Sequence, residues 1–147
     1  MKKLTLIGLF LSVFSCGQHA DSAVLKESTT AYSFREVDQM AVFEGCQPSL
    51  SSEELKNCFS SKMNTIFGQK MNEVLNSQKL PIGVVSIKYT IGSEGKLKDI
   101  SGQGNEVILP VALSIFEEIN QTISYQPALK NGVAVDVKFS MPIRIQN

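Results

Sequence analysis

Val133-Ala134-Val135-Asp136-Val137-Lys138-Phe139-Ser140-Met141-Pro142-Ile143-Arg144-Ile145 is the stretch whose reading sets the fold. Apolar side chains occupy every odd position, and small, polar or charged ones stand between them. A period of two sends the two sets to opposite faces of a β-strand. One long strand over residues 133–145 is therefore expected, with one face buried and the other wet.

Working backwards, Val85, Ile87, Tyr89 and Ile91 alternate with Ser86, Lys88 and Thr90 over residues 83–91. Gly92-Ser93-Glu94-Gly95 then reads as a four-residue turn, and Leu97 to Ser101 as the returning strand of a hairpin. Two helices flank this hairpin. Ser51 with Glu54 forms a capping-box pattern ahead of Leu55, Cys58, Phe59, Met63, Ile66, Phe67, Val74 and Leu75, which recur at helical spacing. Asn76, Ser77 and Pro81 end that helix. Gly68 lies inside it at a penalty of about 1 kcal/mol relative to alanine. The second helix follows Asn105, with Pro110 near its start and Ala112, Ile115, Phe116 and Ile119 facing inward. The expected fold class is α+β: two helices packed on one face of a three-stranded antiparallel sheet.

The first residues read differently. Lys2 and Lys3 precede an apolar run from Leu4 to Phe14, followed by Ser15 and Cys16. Eleven apolar residues reach only about 16 Å as a helix, short of a hydrocarbon core of roughly 30 Å, so residues 1–15 are expected to be a cleaved signal peptide. Val13-Phe14-Ser15-Cys16 resembles a bacterial lipobox, which makes Cys16 the lipidation site; an ordinary signal with an incidental cysteine is the alternative. Residues 16–35 are polar and free of proline, and are expected to be a flexible tether reaching at most about 70 Å. The domain proper is then 36–147.

Three cysteines are an odd number. If Cys16 carries lipid, Cys46 and Cys58 remain as a candidate disulfide in an oxidising compartment; two unpaired core thiols are the alternative. No third cysteine or nearby histidine completes a zinc site, so no metal is expected. With 14 basic and 14 acidic side chains and no basic stripe, the chain is not expected to bind nucleic acid. His19, the single histidine, falls in the tether, so no catalytic constellation and no cofactor are expected. Gly102-Gln103-Gly104 lacks the third glycine of a dinucleotide loop and reads as a turn. Glu53-Glu54 and Glu117-Glu118 read as solvated helix faces.

The order helix, hairpin, helix, long strand resembles the C-terminal domain of TonB-family proteins. The likeness is carried by Phe43-Glu44-Gly45-Cys46, Cys58-Phe59, the run from Gly83 through Ile91, Gly95 and Leu97. Tyr125-Gln126-Pro127-Ala128, Asn131-Gly132 and the strand into Met141-Pro142-Ile143 complete it. It spans about residues 36–147. The resemblance implies a protein-binding domain of the Gram-negative envelope, in which an extended segment of an outer-membrane transporter pairs with the last strand. Val133, Ala134, Val135, Asp136, Val137, Lys138, Phe139, Ser140 and Arg144 would form the binding edge. With Cys16 acylated, membrane attachment is through lipid, at an outer membrane with the domain facing the periplasm. A short apolar segment and short tether depart from a spanning energy transducer, so proton-motive force is not expected to pass through this chain alone. The alternative is a structural or regulatory envelope protein that forms homodimers through the same edge.

Overall fold

The computed structural model describes residues 30–146. Its centre is a three-stranded antiparallel sheet of β2 (Gly83–Ile91), β3 (Leu97–Gly104) and β7 (Val137–Ile145), in the order β3-β2-β7. Helices α1 (Ser52–Ser77) and α2 (Ile108–Thr122) cover one face. The class is α+β, as the alternations and helical spacings predict.

The covered face is the odd-numbered one. Val85, Ile87, Tyr89 and Ile91 of β2 are buried, as are Val137, Met141, Ile143 and Ile145 of β7. The register runs from Gly83 opposite Ile145 to Ile91 opposite Val137, so these rows lie side by side. Tyr89 stacks on Phe139 at 5.9 Å between ring centroids and lies tilted against Phe116 of α2 at 5.2 Å, and Phe139 lies 6.0 Å from Phe59 of α1. Both helices therefore meet the same aromatic layer, α2 over β2 and β3 and α1 towards β7. Such ring pairs add about 0.5–1.5 kcal/mol each beyond their buried area.

Helix α1 starts as its sequence specifies. The Ser51 hydroxyl accepts the Glu54 N–H while the Glu54 carboxylate accepts the Ser51 N–H. The buried stripe is Leu55, Phe59, Met63, Phe67 and Met71, a strict four-residue step. Cys58, Ile66 and Val74 are half-buried at its margin and Leu75 is exposed. Helix α2 buries Ile108, Ala112, Ile115, Phe116 and Ile119. The Asn105 side chain accepts the N–H groups of Val107 and Ile108, which fixes the start of α2.

The hairpin is longer than expected on its return side, because β3 continues to Gly104. Asp99 and Ile100 both stand opposite Tyr89, with Asp99 at φ 52°, which makes a β-bulge. Gly104 belongs to the sheet and not to a loop: a Cβ there would sit 2.4 Å from the Val84 carbonyl oxygen.

Two small ribbons were not anticipated. β1 (Val42–Phe43) pairs with β4 (Tyr125–Gln126), and β5 (Ala128–Lys130) pairs with β6 (Val133–Val135). The Cys46–Cys58 disulfide, with Cα atoms 6.1 Å apart, ties the segment after β1 to the first turns of α1.

Candidate functional site

The last strand lies at the margin of the main sheet, but it is shorter than the period of two implied. Val133, Ala134 and Val135 leave the alternating strand and form the β5–β6 hairpin; Val133 is 63% exposed. The break falls at Asp136, which was expected on the wet face and is instead 3% exposed. Its carboxylate accepts the Ser93 N–H at 2.8 Å and pairs with Lys98 at 2.8 Å. A carboxylate can be buried there because both oxygens have partners. Burial raises its pKa, but the bonds from Lys98 and Ser93 outweigh that and hold it below the usual aspartate value.

From Val137 to Ile145 the alternation holds. Lys138, Ser140, Pro142 and Arg144 are exposed, while Phe139 is half-buried over Phe59. In antiparallel pairing, successive residues point their backbone N–H and C=O alternately to the two sides of the strand. The Lys138 N–H donates to the Tyr32 carbonyl at 2.9 Å, which fixes the even residues as those facing away from β2. Tyr32 also donates to the Asp136 carbonyl at 2.8 Å, forming a single parallel bridge. Residues 30–35, expected at the end of the tether, thus lie against the domain, and Lys130 sits over the Tyr32 ring at 4.3 Å.

The chain then turns away, with the Glu36 N–H donating to the Ser33 carbonyl. Beyond that turn, no described residue bonds the outward N–H groups of Ser140 and Arg144 or the outward carbonyls of Lys138, Ser140, Pro142 and Arg144. Pro142 has no N–H, and its ring occupies a position where no ladder bond to β2 is lost.

Elsewhere, the expected acidic pairs have local roles. Glu54 completes the helix cap, and Glu118 is ion-paired with Lys70 across the two helices. Gly102 permits close approach of α2, since a Cβ there would lie 2.7 Å from Leu109. Cys16, His19 and the signal peptide 1–15 lie outside the described residues. Among the described residues, no group of three metal-ligating side chains occurs, and no helix is long and apolar enough to cross a membrane.

No family model matches the chain, and no curated protein matches it either. Among solved structures, the chain is similar to the C-terminal domain of TonB from Helicobacter pylori, determined in solution by NMR. The two are 18% identical with a TM-score of 0.39, and the match covers 68% of this chain and 88% of that one.

Proposed function

We propose that this chain is a protein-binding lipoprotein of the Gram-negative envelope, which takes up an extended segment of its partner along the outer edge of β7. The single supporting observation is the row of backbone groups from the Lys138 carbonyl to Arg144 that no described residue bonds, on a strand whose other side is fully paired to β2. An exposed edge of this kind adds a further strand, with main-chain bonds giving affinity and side chains giving choice. The Tyr32 bridge occupies the first rung, so the partner begins where that bridge ends.

In this reading, residues 1–15 are removed and Cys16 carries the lipid that holds the domain at the outer membrane, facing the periplasm. The partner is an envelope protein, and the resemblance to TonB-type domains points to an outer-membrane transporter. The domain acts by binding and performs no catalysis.

Replacing Ser140 by proline removes one outward donor without touching a backbone bond to β2, and the 3.3 Å contact of its hydroxyl with Ser86 is lost equally in Ser140→Ala. Crosslinking in cells, followed by mass spectrometry, should identify a partner with the wild-type chain and with Ser140→Ala, and should lose it with Ser140→Pro. Retention of the same partner by a folded Ser140→Pro chain contradicts edge pairing.

A further inference from the structure

Alternate residues of a strand added to β7 would point to opposite faces of the sheet, and the two faces differ in chemistry beside this edge. On the uncovered face, the register places Lys138, Ser140 and Arg144 beside Thr90, Lys88 and Val84 of β2. Lys98 on β3 is neutralised by Asp136 and Glu94. Lys88, Lys138 and Arg144 have no carboxylate within ion-pair distance among the described residues. Asp99 lines the same groove as Lys88 and Lys138, but it belongs to β3, the strand farthest from the edge. Among the described residues, an arriving segment meets three positive charges on this side that make no ion pair.

On the helix side, β7 and α1 do not close on each other. A groove of about 260 Å³ lies between them, with Phe67, Gly68, Leu75 and Ile143 along it and the polar Asn72, Arg144 and Gln146 at its border. A Cβ built at Gly68 touches nothing within 4 Å, so any larger residue at this position would project into free space. Glycine is disfavoured in a helix interior, and here its effect is to leave that groove open directly under the free edge.

We infer that the segment taken up by β7 alternates acidic and apolar residues, with Asp or Glu over Lys88, Lys138 and Arg144 and an aliphatic side chain in the groove at Gly68. This rests on the edge-pairing reading. Opposite charges on neighbouring strands attract and like charges repel, so the cations select for acids and against bases. An aliphatic side chain placed against Phe67 and Ile143 leaves water, which a hydroxymethyl group of serine does with far less gain.

The test uses the full chain and three synthetic peptides of equal length, alternating Glu-Val, Lys-Val and Glu-Ser, with binding read by fluorescence anisotropy. Glu-Val should bind about tenfold or more tightly than either of the others, and should weaken as salt rises from about 50 to about 500 mM. The triple variant Lys88→Glu, Lys138→Glu, Arg144→Glu should reverse the preference towards Lys-Val. Gly68→Leu should weaken Glu-Val while leaving Glu-Ser unchanged, with an unaltered circular dichroism spectrum. Equal binding of Glu-Val and Lys-Val, or no binding of Glu-Val at millimolar peptide, overturns the inference. If Ser140→Pro abolishes binding but charge reversal changes nothing, the acidic partner is wrong and edge pairing survives. If Ser140→Pro changes nothing, edge pairing fails and the inference with it.

Discussion

The Asp136 carboxylate lies 2.8 Å from the Lys98 ammonium, on a side chain only 2% exposed. This pair joins the start of β7 to β3, and the Ser93 N–H bonded to the same carboxylate adds the β2–β3 turn. Removing one partner of a buried, hydrogen-bonded ion pair is costly because the other is stranded. Lys98 is one-third exposed, which moderates the loss. Asp136→Asn should lower stability by about 2 kcal/mol at pH 7. The folded pKa is depressed, so the stabilisation is present above the unfolded value of about 3.9 and is lost as pH falls through the folded value. Urea midpoints of wild type and variant should therefore converge at acid pH; a constant gap contradicts the account.

Hydrogen exchange reads the edge directly. Within β7, the Phe139, Met141 and Ile143 amides face β2 and should exchange slowly, whereas Ser140 and Arg144 should exchange fast in the same strand. Lys138 is the exception among even residues, since its N–H donates to Tyr32. Tyr32→Pro removes the companion bond to the Asp136 carbonyl and should speed Lys138 exchange while leaving Phe139 unaffected. Uniform protection along β7 would mean that its outer side is covered.

Gly68→Ala should stabilise the domain by about 1 kcal/mol, because a methyl group fits without contact and alanine favours the helix. Chemical denaturation measures this. A destabilised Gly68→Ala chain would show that the position is tighter than its surroundings indicate.

Reducing the disulfide between Cys46 and Cys58 should lower stability by roughly 3 kcal/mol, since their 12-residue separation closes a short loop in the unfolded chain. The double variant Cys46→Ala, Cys58→Ala should lose a comparable amount and become indifferent to reductant. If wild type does not respond to reductant, the bond is not formed in solution.

Much of the fold could be read from local pattern. The capping box at Ser51 and Glu54, the alternation from Val85 to Ile91 and the inner face of α2 are set by neighbours along the chain, so they are visible in it. The alternation at the C-terminus also identified Lys138, Ser140 and Arg144 as exposed, while the place of the strand at the sheet margin was implied only by the family resemblance. It did not reveal the break at Asp136. A charged residue in an even position looks solvated until its partners are known, and Ser93 and Lys98 are 43 and 38 residues away, distances that only folding closes.

The same limit applies to Tyr32 and Gly68. Nothing local marks Tyr32 as the residue that covers the first rung of the edge, because the bridge is made of backbone groups common to every residue. Gly68 in the sequence is merely a poor helix former; only the packing of α1 beside β7 turns its missing side chain into a groove. Periodicity fixes which side of an element is apolar. Which element lies next to it, and how much of an edge stays open, depends on contacts between distant parts of the chain.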